Sequence, residues 1–598
     1  VIKSTKKVAR ENDWRLFLRL LPYLRQHRKV LIMSIILLIP LSLANAVQPL
    51  IIGEAISFLR QEKTWSFLAG KTIPEAINIL SGLLLVTIIV RLCFAAYQGF
   101  LVQKVGQQIT TEVREDLFDH VTHLSSRFFE ATPVGKLVTR ITSDVEALGD
   151  VFASGAIGVL SDVISMLMLL VVIFLTQWQL SLMLLLMLVP VTVLIVYFQQ
   201  EYRKANYQVR EELSKLNSML QENIVGINIV QLFKRERYNA EIFNATNLKY
   251  RQEVDRTIFH DSAVSATLEW ISLVAIAGVL WLGGIFILNK QLEFGVLSAF
   301  ILFAQRLFNP LRQFADKFTM FQAGFTAIER ITELMEVPIE IKDNNSNYIL
   351  ETTTKHRGEI RFENVWFGYK PDEYILKGLS FTLSPGEKVA LVGPTGAGKS
   401  SIIRLLCRLY EPNQGRILVN GLDIRDIPSA QLRNYIGVIL QESFLFAGNI
   451  NRNITLGETY SDEEIQEAAR ITGIDSFIAE LPQGYETLLR ERGTNLSAGQ
   501  KQLLAFARVA IRKPSILVLD EATANLDVAT EWSIQNALEH LLEGKTAIII
   551  AHRLSTIRNV DKILVLKRGE LVESGTHEEL LKLQGLYASL YHLQLLGG

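Results

Sequence analysis

Gly393-Pro394-Thr395-Gly396-Ala397-Gly398-Lys399-Ser400 places small residues, one cation and one hydroxyl in a single short loop. Small residues let backbone N–H groups wrap a phosphate at the positive end of the helix that follows. Lys399 is then placed to bridge the β- and γ-phosphates of a nucleoside triphosphate, and the Ser400 hydroxyl to ligate Mg²⁺. Such a loop needs a strand before it and a helix after it. Lys388-Val389-Ala390-Leu391-Val392 reads as the buried strand, and 399–409, including Ser401, as the helix.

More chemistry of the same kind lies downstream. Ser515–Leu519 is a hydrophobic strand that ends in Asp520 and Glu521. Asp520 is placed to hold Mg²⁺ through water, and Glu521 to polarise an attacking water as a general base. Thr494-Asn495-Leu496-Ser497-Ala498-Gly499-Gln500 opens a helix expected over Gln500–Ile511. Ser497, close to a helix start with free amides, makes an anion-binding arrangement, although alone it is also a plain N-cap. His552 follows the buried strand Thr546–Ile550, where its imidazole can contact a γ-phosphate.

The elements that position these residues divide the chain. At 598 residues at least two domains are expected. Lysine plus arginine equals aspartate plus glutamate, 61 each, so the charge balance gives no hint of a nucleic-acid partner. Cys93 and Cys407 supply neither a disulfide framework nor a zinc site. Apolar residues concentrate between 30 and 325, where six runs are long enough to span a bilayer: 30–58, 75–102, 150–176, 179–200, 264–289 and 293–322. Lys and Arg before the first run put the N-terminus in the cytoplasm, and an even number of spans returns the C-terminal half there. No cleavable signal is expected at the N-terminus. Residues 13–29 suit an amphipathic helix lying on the membrane surface.

Leu101–Phe118 and Glu201–Tyr250 carry polar residues around spaced apolar positions. They read as membrane helices continuing into the cytosol and turning back near Phe128–Gly135 and Ile224–Phe233; two ordinary loops are the alternative. Within the spans, Arg91 and Asp162 either pair, line a pathway, or sit near the interfaces. Trp270, Trp281, Phe300, Phe303 and Phe308 either line a greasy cavity or face lipid and neighbouring helices.

The set Tyr369, GPTGAGKS (393–400), Gln441, LSAGQ (496–500), ILVLDE (516–521), Leu526-Asp527 and His552 closely resembles the ATPase domain of ABC transporters. Together with six spans it resembles a half-transporter of the ABC exporter family, particularly the catalytically intact subunit of bacterial heterodimeric multidrug exporters. The resemblance implies a type I exporter fold: an all-α six-helix transmembrane domain with long cytoplasmic extensions, then an α/β P-loop ATPase domain. It implies that Tyr369 stacks on adenine, Gln441 touches Mg²⁺, and Asp527 is the D-loop aspartate. Glu491 falls in a loop that contacts the cytoplasmic turns. Ser497, Gly499 and Gln500 belong to a signature that caps the ATP of the other subunit. Each ATP then lies between two chains, so the protein must dimerise.

The family signature usually reads Leu-Ser-Gly-Gly-Gln, and here its first glycine is Ala498. The added Cβ is expected to restrict a backbone that approaches phosphate or needs positive φ. With Glu521 and His552 intact, this favours a heterodimer whose partner carries a degenerate Walker B strand; a homodimer tolerating alanine is the alternative. The expected domains are an elbow at 1–29, the membrane domain at 30–325, a linker at 326–356 and the ATPase domain at 357–598. The expected function is ATP-driven export of amphipathic drugs or lipids across the cytoplasmic (inner) membrane. A lipid A-like flippase and an ATP-gated regulator are the rivals.

Overall fold

The computed structural model describes residues 21–343, 357–370, 373–441, 443–520, 528–550 and 557–597. Two compact units result, one from Val1–Thr122 and Val134–Val337, the other from His123–Pro133 and Pro338–Gly598.

In the first unit every described segment of regular structure is helical. Its principal helices are α1 (Arg28–Ile36), α2 (Leu38–Leu59), α3 (Ile73–Thr122), α5 (Ile157–Thr176), α6 (Trp178–Val225), α7 (Ile227–Leu232), α8 (Glu236–Leu288), α9 (Phe294–Leu307) and α10 (Asn309–Met335), with shorter helical turns between them. The intervening α4 (Ser126–Ala131) belongs to the second unit. Among the described residues, five helical runs are long and apolar enough to cross a membrane: Arg28–Leu59, Ile73–Thr122, Val134–Thr176, Trp178–Val225 and Glu236–Leu288. Helices α3, α6 and α8 have 50, 48 and 53 residues. At 1.5 Å per residue each is about 70–80 Å long, against about 30 Å of hydrocarbon. The apolar runs and their polar continuations are therefore single rods, and the reading as ordinary loops is excluded. α4 and α7 are the short helices at their turns.

The sixth span departs from expectation. α9 stops at Leu307 after 14 residues, and α10 restarts at Asn309. Pro310 lies in that first turn and has no N–H to return to the Arg306 carbonyl, which breaks the ladder there. Of the readings open for Arg91 and Asp162, a pairing with each other is not found among the described residues. Asp162 accepts from Lys317, while Arg91 donates to Asn45 Oδ1 at 3.2 Å.

Leu180, Leu184, Val191, Ile195, Ala275, Val279, Phe300 and Phe303 form the buried centre of this unit. Phe300, Phe303 and Phe308 are thus packing residues rather than cavity lining. Leu175, Leu186, Trp270 and Trp281 are exposed, as lipid-facing side chains are. Helices α2 and α9 meet through glycines: a Cβ on Gly295 would lie 2.1 Å from the Gly53 carbonyl oxygen. Small residues at such crossings let the backbones approach.

Among its described residues the second unit carries twelve strands in chain order. β1 (Ile360–Phe367), β2 (Leu376–Leu383), β4 (Gln414–Val419) and β5 (Leu422–Asp423) form an antiparallel sheet ordered β2-β1-β4-β5. β7 (Gly448–Asn449) pairs with β8 (Leu488–Leu489). The main sheet contains β3 (Lys388–Val392), β6 (Ile436–Ile439), β9 (Ile516–Asp520), β10 (Thr546–Ile550), β11 (Lys562–Lys567) and β12 (Glu570–Gly575), ordered β12-β11-β3-β10-β9-β6. All but β12 run parallel. Every residue of β10 is buried, because a parallel sheet is covered on both faces. Helices α11 (Lys399–Leu406), α12 (Ala498–Ala510) and α13 (Val528–Leu542) complete what the site needs.

Candidate functional site

Parallel register brings the chemistry to one edge. Ile550 lies opposite Leu391 on one side and Asp520 on the other, so β3, β10 and β9 end together. The Gly393–Ser400 loop follows β3, Asp520 closes β9, and Gln441 stands two residues beyond β6, exposed. In doubly wound sheets, ligands bind outside the carboxyl ends of strands.

The loop is held by what its glycines avoid. A Cβ on Gly393 would lie 2.3 Å from the Leu566 carbonyl oxygen. Gly398 is the N-cap of α11 at φ 101°, a left-handed conformation that glycine adopts without strain. Pro394, Thr395, Gly396 and Ser400 are exposed, whereas Ala397, Gly398, Lys399 and Ser401 are buried. Lys399, 9% exposed, curls back over its own loop: Nζ donates to the carbonyls of Gly393 at 2.7 Å and Pro394 at 3.2 Å. Burial lowers its pKa, and the attraction of Asp520 opposes that shift. A half-desolvated ammonium inside a cradle of small residues fits a triphosphate, and a carboxylate and a hydroxyl at the same sheet edge fit Mg²⁺.

Tyr369 lies two residues past β1, half-buried against α11. Its hydroxyl is 3.1 Å from Ser401 Oγ and accepts from Arg404 Nη1 at 3.2 Å, and its ring meets Tyr410 edge-on. Arg404 also donates to Glu130 at 2.6 Å, and Tyr410 donates to the other oxygen of that carboxylate at 2.9 Å. Arg404, Tyr410 and Glu130 were not legible as site residues. Only the spacing of Arg404 from Ser401, three residues along one helix face, hints at the contact.

Ser497 caps α12. Its hydroxyl accepts from Gln500 N at 3.2 Å, and Gln500 Oε1 accepts from Ser497 N at 2.9 Å. The helix begins at Ala498, two residues earlier than expected. Ser497 keeps its hydroxyl hydrogen, and the first-turn amides remain at an exposed helix end. Ala498 is helical and absent from the residues of positive φ, so its Cβ brings no backbone strain. The strain expected there is not found. Gly499 is the constrained position: a Cβ there would lie 2.0 Å from Thr530 Cγ2. Glu491 is exposed in a 3₁₀ turn. Glu521, Asp527 and His552 lie outside the described residues.

Comparison with known proteins decides the family. Residues 31–311 match the ABC transporter transmembrane region and residues 376–524 the ABC transporter family. The probable multidrug resistance ABC transporter ATP-binding/permease protein YheH of Bacillus subtilis (strain 168) is 35% identical over 506 residues, 83% of this chain and 74% of its own. The ATP-dependent lipid A-core flippase of Desulfotalea psychrophila (strain LSv54 / DSM 12343) is 34% identical over 507 residues, covering 83% and 86%. The structure of a bacterial Atm1-family ABC exporter with ATP bound matches with a TM-score of 0.76 at 28% identity, over 95% of this chain and 98% of that one.

The chain belongs to the ABC transporter family.

It is an ABC exporter with its transmembrane and ATPase domains fused, a multi-pass membrane protein and an ATP-hydrolysing transporter. ABC exporters work as dimers within a membrane, and their ATPase domain binds ATP. The exporter therefore carries one loop of the Gly393–Ser400 kind and one signature at Leu496–Gln500 per chain.

Proposed function

We propose that this exporter moves amphipathic compounds, drug-like or lipid-like, out across the cytoplasmic membrane as one half of a dimer. The observation that carries the reading is Lys399, buried in its loop at the edge where Asp520 also ends its strand, in a chain with five membrane-length helices among its described residues. ATP lies between Gly393–Ser400 of one subunit and Ser497, Gly499 and Gln500 of the other. Lys399 leaves the carbonyls of Gly393 and Pro394 for the β- and γ-phosphates. Tyr369 stacks on adenine. Ser400, Gln441 and Asp520 would hold Mg²⁺, which would neutralise phosphate charge when bound. Glu521 orients and deprotonates the attacking water, His552 contacts the γ-phosphate, and Asp527 faces the partner subunit.

Dimerisation is supported by an exposed apolar tip. Ile224, Val225, Leu232 and Phe233 flank or end α7 with most of their surface uncovered, more than a lone soluble surface keeps. The names of the relatives, a multidrug exporter and a lipid A-core flippase, support an amphipathic cargo.

The partner is a different chain with a degenerate Walker B strand. The Ala498 methyl, exposed in the first turn of α12 where an anion approaches, supports this. The unstrained helical backbone at Ala498 favours a second reading, a homodimer. Purified alone, the chain is expected to lack full ATPase and transport activity; full activity without a partner establishes the homodimer. Lys399→Ala is expected to weaken ATP binding about 10–100-fold, the loss of a charge-assisted hydrogen bond. Unchanged binding removes the role given to the loop. Glu521→Gln is expected to retain binding and cut turnover about 10²–10⁴-fold.

A further inference from the structure

Two arginines in the membrane unit share neutral partners and have no counter-charge among the described residues. Arg306, at the end of α9, donates from Nη1 to the Asn45 carbonyl at 2.6 Å and from Nη2 to Gln48 Oε1 at 3.2 Å. Arg91, on α3, donates to Asn45 Oδ1 at 3.2 Å, close enough for the two guanidinium groups to repel. Neither arginine enters an ion pair among the described residues. Other charges of this unit are paired: Asp162 has Lys317, Arg140 has Glu333, and Asp144 has Arg330.

One of these bonds has a structural cause. Pro49 lies inside α2 and cannot donate to the carbonyl four residues back, which belongs to Asn45. Arg306 supplies the missing donor. A neutral donor would serve there equally well, so the proline explains the bond and not the charge. Gln48 adds a further donor. It is 4% exposed, its oxygen is taken by Arg306, and its Nε2 is buried with no partner. Buried polar groups are almost always satisfied, and an orphan donor is costly. Two uncompensated cations and an orphan N–H on adjoining helices make a site short of an anion.

We propose that Arg91, Arg306 and Gln48 form a binding site for the anionic headgroup, phosphate or carboxylate, of an amphiphile whose tail lies along the apolar helix surface. The exposed apolar residues near Arg91 on α3, Ile88, Ile89 and Leu92, favour an amphiphile over a free anion. The inference deepens the export reading and rests on it by naming the charge of the cargo.

The test uses the full-length exporter with any co-purifying subunit, in neutral detergent, titrated calorimetrically with dodecyl phosphate, dodecyltrimethylammonium and inorganic phosphate. Dodecyl phosphate is expected to bind saturably and at least about tenfold tighter than the cation, with inorganic phosphate much weaker. Arg91→Gln is expected to lose about tenfold or more in affinity, and Arg91→Lys to keep most of it. Arg91 is the decisive position because Arg306 also satisfies the Asn45 carbonyl, so its loss can disturb folding. Equal binding of the cation, or unchanged affinity in Arg91→Gln, overturns the site. Inorganic phosphate binding as tightly as dodecyl phosphate overturns the amphiphile. ATP hydrolysis by the unmodified assembly separates the two readings. An assembly that hydrolyses ATP without preferring dodecyl phosphate keeps the export reading and loses this one.

Discussion

Substituting Gly499 by alanine adds one methyl to the start of α12, where it has nowhere to go. The new Cβ would stand 2.0 Å from Thr530 Cγ2, against about 3.5–4.0 Å for two carbons at rest. Gly499 is buried, so α12 and α13 must part by an ångström or more or Thr530 must turn away. Overpacking of this kind costs about 1–3 kcal/mol. At about 2–4 °C per kcal/mol for a unit of this size, the ATPase unit of Gly499→Ala should melt about 2–12 °C lower. The shift also displaces the Ser497 cap, so hydrolysis should fall in the same variant. Thr530→Ala removes Cγ2 and leaves the Thr530 Cβ at 3.4 Å and Ile534 Cδ1 at 3.8 Å, both ordinary contacts. The double variant should therefore recover most of the loss, with a coupling of about 0.5–3 kcal/mol in a double-mutant cycle. Differential scanning fluorimetry beside an ATPase assay reads both effects. A Gly499→Ala melting point within a degree of the parent, or strictly additive variants, refutes the packing argument.

Gly295→Ala is expected to be poorly tolerated, since its Cβ would press on the Gly53 carbonyl oxygen and on Ser57 Oγ, each at 2.1 Å; size-exclusion profiles in detergent check this. Asp343 gives an acid-dependent prediction. Burial alone would raise its pKa, but hydrogen bonds from Ser429 and the charge of Arg408 outweigh that and hold it below the ordinary 3.8. A depressed carboxylate stabilises the fold above the unfolded value and loses that contribution as pH falls through the folded one. The difference in melting point between parent and Asp343→Asn should be present at neutral pH and vanish in strong acid. It should be small, since the carboxylate is well exposed. Cys407 is buried with its thiol pushed up to about 12, so iodoacetamide at pH 8 should modify it only after denaturation, by peptide mass mapping. Glu130→Gln should weaken the hold on Arg404 and Tyr410, lowering the melting point of the ATPase unit by no more than a few degrees because the pair is half-exposed.

Much of the nucleotide site was readable because its chemistry is local. Gly393–Ser400, a strand ending in Asp520 and a serine opening a helix each need only neighbouring residues. The expected strand Thr546–Ile550 recurs unchanged as β10, since a short run of buried branched residues bounded by polar ones has few alternatives. Less was readable where distant residues decide. The start of α12 was set two residues late because a capping box, not the apolar pattern, fixes it. The sixth span was drawn through Pro310, since hydropathy registers apolar length and not the loss of one N–H.

Sequence alone determined which half meets lipid and which meets phosphate, because transfer free energy and phosphate-wrapping loops both follow from residue type over short stretches. Partnership was decided by tertiary structure. Asp162 finds Lys317 rather than Arg91, Glu130 reaches Arg404, and among the described residues Arg91 and Arg306 donate to neutral acceptors alone. A charge in a low-dielectric bundle is governed by what stands within a few ångströms of it. Helix crossings set that distance, and no spacing along the chain encodes it.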